Sequence, residues 1–315
     1  MAWTAADIGD LHGKVAVVTG GNSGLGYETA LELAAHGAHS IIACRNPKKA
    51  SSAVDRIKAA RPDAKVETMA LDLASLASVR SFSTALHQKV DKIDILVNNA
   101  GVMAIPRQTT ADGFEMQFGT NHLGHFALTA LLLDLLVASG AGRVINVSST
   151  AHKLGRMTFD DLQREKKYGK WSAYGQSKLA NLLFTSELQR RLEKAGLPVI
   201  TAAAHPGYAA TNLQFVGPQL EGSSFGATLT GWGNKLFGQS AAMGALPTLY
   251  ASTAPDVKGN DFFGPDGFQE MHGYPKRVSR TAAAQSVEDA RKLWERSLEL
   301  TGVTYDQRAK PVPVA

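Results

Sequence analysis

The stretch KVAVVTGGNSGLG, Lys14 to Gly26, decides the fold of this 315-residue chain. Lys14–Thr19 is short, β-branched and almost wholly apolar, the pattern of a strand covered on both faces of a sheet. It runs directly into a glycine-rich turn. A helical pattern over Tyr27–His36 follows, ending where Gly37 supplies a left-handed cap. Strand, glycine turn and helix in that order make the first half of a βαβ unit. The turn lets backbone approach a pyrophosphate, and the helix N-terminus offers it free N–H groups. The spacing, Gly-x-x-x-Gly-x-Gly, departs from the commoner G-x-G-x-x-G, so the placement at the first βα junction carries the argument. Gly20, Asn22, Ser23, Gly24, Leu25 and Gly26 are the candidate phosphate-facing residues.

Outward from this turn the rhythm repeats. Strand patterns lie at Ser40–Cys44, Val66–Leu71, Ile93–Asn98, Arg143–Ser148 and Pro198–Ala204, with helical patterns near 47–60, 75–89, 112–139 and 173–195. Strand–helix alternation with right-handed crossovers predicts an α/β fold: a Rossmann-type doubly wound parallel sheet in three layers. After residue 207 the pattern changes. Residues 212–240 are rich in Gly and Ser with scattered aromatics (Phe215, Phe225, Trp232, Phe237), and a loop this long in a compact domain predicts a substrate lid. Helices are expected over Ala241–Ala254 and Ser286–Thr301, a short strand near Asp261–Phe263, and a flexible tail over about 303–315. No linker, repeat or low-complexity block divides the chain, so 1–315 reads as a single domain.

Composition removes other classes. At 44% hydrophobic and 19% charged residues the chain can bury a large core, which excludes global disorder. Lys and Arg number 33 against 28 Asp and Glu, a surplus of 5 spread without a long basic run, so neither nucleic acid nor a membrane surface is indicated as a partner. The single cysteine, Cys44, closes no internal disulfide, which fits a reducing cytoplasm. The start shows no signal-peptide pattern. The longest apolar run, Phe126 to Ala138, is too short to span a bilayer, is interrupted by Asp134, and reads as a buried helix.

The end of the second strand selects the dinucleotide. NAD sites place an acid about 20 residues past the glycine turn, on the ribose 2′-hydroxyl. Here the sequence is Ala43-Cys44-Arg45-Asn46, with no acid and with a guanidinium suited to a 2′-phosphate, so Arg45 and Asn46 predict NADP(H). Of seven tyrosines only Tyr174 has a lysine four residues on, Lys178. On a helix the two share a face, and a nearby ammonium lowers a phenol's pKa, which would make Tyr174 a general acid/base. The fifth strand ends in Val147-Ser148-Ser149 and the fourth in Asn98-Asn99-Ala100-Gly101, both at the carboxyl edge where open α/β sheets bind ligands. Asn121 is a mediocre helix former inside a helical pattern, which hints at a polar task. His122 and His125, at i and i+3, invite a metal reading, but two histidines without a third ligand predict packing instead and no metal site.

Taken together, TGGNSGLG, Asp72-Leu73, NNAG, Asn121-His122, VSS, YxxxK and His205-Pro206-Gly207 resemble the short-chain dehydrogenase/reductase family over roughly residues 12–212. The ACRN segment, NxxGHF, the long Ser149–Tyr174 interval and PDGFQEMHG are similar to its retinol dehydrogenase-like members, and more distantly to the relatives of protochlorophyllide reductase. The resemblance implies roles. Tyr174 would be the general acid/base and Lys178 would hold the nicotinamide ribose and lower the tyrosine pKa. Ser149, rather than Ser148, would polarise a substrate carbonyl, and Asn121 would anchor a water in a proton relay. Asp72 with Leu73 would meet the adenine. Asn98, Ala100 and Gly101 would line the cofactor, while Pro206, Gly207 and Thr211 would pack on its nicotinamide side. It implies an oxidoreductase moving hydride between NADP(H) and a carbonyl or alcohol of a medium-to-large apolar substrate. A homodimer through helices 112–139 and 174–195 is favoured over a monomer. The alternatives are a non-catalytic NADP-binding sensor or scaffold, and a reductase of activated double bonds.

Overall fold

The structure is a computed structural model that describes residues 2–208 and 239–305. Its centre is an eight-stranded sheet: β1 (Val15–Thr19), β2 (His39–Cys44), β3 (Val66–Ala70), β4 (Ile95–Asn98), β5 (Gly142–Val147), β6 (Val199–Ala204), β7 (Phe262–Pro265) and β8 (Pro275–Arg277). The spatial order is 3-2-1-4-5-6-7-8. The first seven strands run parallel and β8 returns antiparallel against β7. Strand order reverses between β1 and β4, so their carboxyl ends diverge and leave a crevice, the usual ligand site of such sheets. The expected doubly wound parallel sheet is therefore present. β8 was not foreseen: it is a short, largely exposed edge strand with a proline and two cations, so it lacks the apolar signature of the interior strands.

The central strands are apolar throughout because helices cover both faces. Val17, Ile41, Leu96 and Val144 pack on one side with Phe82, Phe126 and Phe184; Ala16, Val18, Ile42 and Val97 pack on the other with Ala30, Leu33, Ile57 and Leu249. The first layer comprises α3 (Leu76–His87), α5 (Gly124–Leu131), α6 (Leu133–Ala138), α7 (Lys170–Ala195) and α9 (Val287–Thr301); the second comprises α1 (Gly24–Ala35), α2 (Pro47–Ala60) and α8 (Ala241–Thr253). None of the described helices is long and apolar enough to cross a membrane.

The helix expected over 112–139 is broken in four. A short α4 (Met116–Phe118) passes into a π-helical turn at Gly119–Leu123, then α5, then α6 after a kink at Leu132 (φ −113°). The π turn widens the helix at Asn121, as such bulges often do beside a functional site. Gly124 belongs to this device: a Cβ there would press into the Leu73 carbonyl at 2.5 Å.

Two other expectations need correction or limit. The lid expected over 212–240 lies, apart from Gln239 and Ser240, outside the described residues, as does Thr211. The tail is packed, not loose, where it begins. Val303 is buried, and Tyr305 packs tilted against Trp294 with ring centroids 4.4 Å apart while its hydroxyl donates to the Phe126 carbonyl at 2.8 Å. Residues 306–315 are outside the described residues. Trp294, on α9, also meets Phe126 and Phe184, so α9 covers part of both helices named above as a dimer face.

Candidate active site

The cavity at the switch point holds about 1160 Å³, above the range of about 300–1,000 Å³ typical of small-ligand pockets and large enough for a dinucleotide with a substrate. Its walls are the turns that follow the carboxyl ends of β1, β2, β4, β5 and β6, plus one face of α2 and of the N-terminal half of α7. One end is basic. Arg45 follows β2, and Lys48, Ser52 and Arg56 recur every four residues along α2, which places them on one face. The far end carries Ser149, Tyr174 and Lys178. Although Arg45, Lys48, Lys49, Arg56, Lys170 and Lys178 all reach the described wall, no Asp or Glu does.

The glycine turn fits a phosphate. Gly24 has φ +56°, a left-handed conformation glycine adopts freely, and a Cβ on Gly26 would collide with the Asn99 amide and the Gly20 carbonyl. Ser23 occupies the N-cap of α1 but its side chain makes no capping bond. The first N–H groups of a twelve-residue helix are thus left to a ligand, and that end of the dipole favours an anion. Arg45, Lys48 and Lys49 form no ion pair among the described residues, so their charge is available too. A dinucleotide phosphate matches this donor set.

At the other end, α7 presents Tyr174 and Lys178 one turn apart. Tyr174 is 4% exposed and shares a hydrogen bond with Ser149. Ser148 Oγ instead donates to the Lys178 carbonyl at 2.9 Å, which leaves Ser149 as the serine beside the phenol. Lys178 Nζ donates to the Val147 carbonyl at 3.0 Å and sits 5.8 Å from the Tyr174 ring centre. Burial pushes Tyr174 up to about 12, only partly opposed by the Ser149 bond, and pushes Lys178 down to about 8. The expected lowering of the tyrosine by its lysine is therefore corrected. Desolvation disfavours both charged forms, and the ammonium is turned to a carbonyl.

Asn121 acts from behind the wall. Its Nδ2 donates to the Val102 carbonyl (2.9 Å) and to Ser177 Oγ (2.9 Å), while its Oδ1 accepts the Val102 N–H (2.8 Å). The side chain thus braces the loop after β4. His125 bonds the Asn121 carbonyl (3.0 Å) and Thr19 Oγ1 (2.9 Å), and His122 bonds Ser297 Oγ (2.9 Å). Burial holds both imidazoles neutral, His122 at about 3 and His125 at about 4.

With this geometry in place, the model of the family described as short chain dehydrogenase matches residues 14–216. The chain belongs to the short-chain dehydrogenase family. It is thus an oxidoreductase of a family that uses a nicotinamide cofactor on small-molecule substrates. Retinol dehydrogenase 13 of Homo sapiens is 44% identical over 307 residues, covering 96% of this chain and 88% of that protein. Retinol dehydrogenase 14 of Mus musculus is 42% identical over 311 residues, covering 94% and 88%. A crystal structure of an uncharacterized protein from Mycobacterium paratuberculosis aligns with a TM-score of 0.80 at 44% identity, covering 97% of this chain and 99% of that one.

In this short-chain dehydrogenase the described wall gathers most of the expected residues: Gly20, Asn22–Gly26, Arg45, Ala100, Gly101, Ser149, Tyr174, Lys178, Pro206 and Gly207. Besides Asn121, four others stand off it. Asn98 is the last residue of β4 and pairs in register with Asn146, so it points into the sheet, donating to Asn146 Oδ1 (2.9 Å) and Thr129 Oγ1 (3.0 Å). Side chains alternate along a strand, so Asn99 is the one on the wall. Asn46 caps α2 by accepting the Lys49 N–H at 3.0 Å. Asp72 accepts the Ala74 N–H at 3.0 Å, and Leu73 is buried against Gly124. Sequence reading missed Ser52 and Arg56, whose four-residue spacing from Lys48 was the available signal. It also missed Trp171, three residues ahead of Tyr174 on the same helix face.

Proposed function

We propose that this short-chain dehydrogenase is an NADP(H)-dependent carbonyl reductase that acts on a moderately large, apolar substrate. The observation that carries the reading is the single cavity wall that joins a cationic end at Arg45, Lys48 and Lys49, without an ion pair among the described residues, to the Ser149–Tyr174–Lys178 end, with no carboxylate among the described residues between. A 2′-phosphate is stabilised by such a wall, and the diol of NAD gains nothing from it. Val102, Met103, Ala104, Leu154, Trp171 and Tyr208 line the catalytic end and favour an apolar body. The buried thiol of Cys44 is in keeping with work in a reducing cytoplasm.

When bound, the nicotinamide supplies the hydride for a carbonyl carbon. Ser149 hydrogen-bonds the carbonyl oxygen and Tyr174 delivers a proton to it. A phenol held near 12 keeps that proton at neutral pH, which suits donation to a developing alkoxide; the cellular NADPH pool, and not the phenol, sets the direction toward reduction. Lys178 remains protonated below about 8 and adds positive charge where the alkoxide forms.

The test is a fluorescence titration with NADPH and NADH on wild type and Arg45→Asp, followed by a carbonyl screen on wild type and Tyr174→Phe. The expected result is tight NADPH binding that collapses in Arg45→Asp, and turnover lost in Tyr174→Phe with binding kept. Equal NADH binding would sink the cofactor assignment, binding of neither cofactor would sink both parts, and reduction of a carbon–carbon double bond alone would sink the carbonyl assignment.

A further inference from the structure

Behind the cavity, three segments that are remote in sequence meet at one carboxylate. Glu270 lies on the loop between β7 and β8, and its Oε2 bonds His205 Nε2 at 3.0 Å and Lys153 Nζ at 3.2 Å. Lys153 belongs to the turn Thr150–Leu154, whose N-cap is Ser149 itself. His205 is fully buried, and its Nδ1 accepts the Gly207 N–H at 3.2 Å. That bond leaves Nε2 as the protonated nitrogen, so His205 donates to Glu270. The loop also grips the 205–208 turn through its backbone, since the Met271 carbonyl accepts the Tyr208 N–H at 2.8 Å.

The fit between loop and turn is close. Gly207 has φ +64°, and a Cβ there would meet the Glu270 carbonyl at 2.8 Å. The loop itself is strained: Gln269 (φ +49°) and Glu270 (φ +60°) are consecutive L residues in the left-handed region. Side chains persist there only where the surroundings hold them, and such strain clusters near functional sites. His152, between Ser149 and Lys153, adds a second tie by donating from Nδ1 to the Ser149 carbonyl at 2.7 Å.

We propose that Glu270 is a positioning residue, whose carboxylate holds the Ser149-bearing turn, through Lys153, and the Pro206–Gly207 turn, through His205, in one fixed relation at the cavity floor. The inference rests on the reading of that cavity as a reductase site. The Glu270 side chain does not line the described cavity; it acts through two groups whose neighbours do. Its carboxyl is held down at about 2 by the His205 hydrogen bond and the Lys153 ammonium, so it is charged at every working pH.

The experiment compares wild type with Glu270→Gln, Lys153→Met, Lys153→Arg and the Glu270→Gln/Lys153→Met double variant. Glu270→Gln keeps shape and an acceptor for His205, and Lys153 is half-exposed, so folding is retained. The expected result is a fall in kcat of about tenfold for each single variant, no further fall in the double variant, little change in substrate KM, and recovery in Lys153→Arg. Unchanged kcat, losses that multiply in the double variant, or losses that track the melting temperature would overturn it. Amide exchange over residues 149–154 and 205–208 is read in parallel on the same proteins. Should wild type turn over no carbonyl, the reductase reading fails alone: faster exchange in both segments in the single variants still supports the positioning role, and unchanged exchange overturns it.

Discussion

Replacing Asn121 by alanine separates a brace from a residue that merely holds solvent. The substitution removes three hydrogen bonds and leaves the Val102 N–H and carbonyl without their partner, while Ser177 Oγ keeps its bond to the Tyr174 carbonyl at 2.8 Å. A buried group left unpaired costs about 1–3 kcal/mol, so two give about 2–6. Val102 is only half-buried and lines the cavity, so water repairs part of the loss, and a net destabilisation of about 3 kcal/mol is expected. At about 2.1 cal/mol/K per residue, the unfolding entropy of a chain this long is about 0.7 kcal/mol/K, which converts that loss to a fall in Tm of about 5 °C. Activity falls further than stability. Gly101, next to Val102, lies so close to Lys178 that a Cβ there would meet Nζ at 3.6 Å. A loop released from Asn121 therefore shifts the floor beside the lysine, and kcat measured well below Tm drops about 10- to 100-fold. Melting followed by circular dichroism, amide exchange at Val102 and carbonyl turnover are the assays. Asn121→Asp, which keeps the acceptor for the Val102 N–H but buries a charge, is expected to melt no higher than the alanine variant. A Tm within about 1 °C of wild type in Asn121→Ala, with slow exchange at Val102 preserved, would refute the brace.

Three other expectations follow. Arg45→Ala weakens NADPH binding about tenfold or more while NADH binding stays within about threefold, and raising salt from 0.1 to 1 M erodes only the NADPH affinity of wild type, because exposed charges are screened. Lys178 has its pKa lowered to about 8, so it is charged below that value and loses its proton as pH rises through it; the rate of carbonyl reduction should fall along that limb, and Lys178→Arg should move the limb upward in a pH–rate profile. Trp294→Ala opens a hole among Phe126, Phe184 and Tyr305 and costs about 3–5 kcal/mol in urea unfolding, with NADPH affinity of the folded protein unchanged.

What the sequence determined by itself was local. All-apolar strands, helical periods, the glycine turn at the first βα junction and the four-residue step from Tyr174 to Lys178 depend on neighbours within a turn or a strand, and those are written in order along the chain. Even there the reach was short: a run that reads as one helix over 112–139 is broken by a π turn, because the bonds of Asn121 to Val102 and the approach of Leu73 to Gly124 come from other segments. The tertiary structure alone decided which face of a strand an asparagine takes, so that Asn99 lines the cavity and Asn98 is buried beside Asn146. It decided the direction in which the Tyr174 pKa moves, since burial is a property of everything packed around the phenol and raises it. It also brought Glu270, Lys153 and His205 onto one oxygen. Residues 52 to 117 positions apart carry no periodic signal of their contact, because that contact is fixed by how β6, β7 and the turn after β5 meet at the sheet edge.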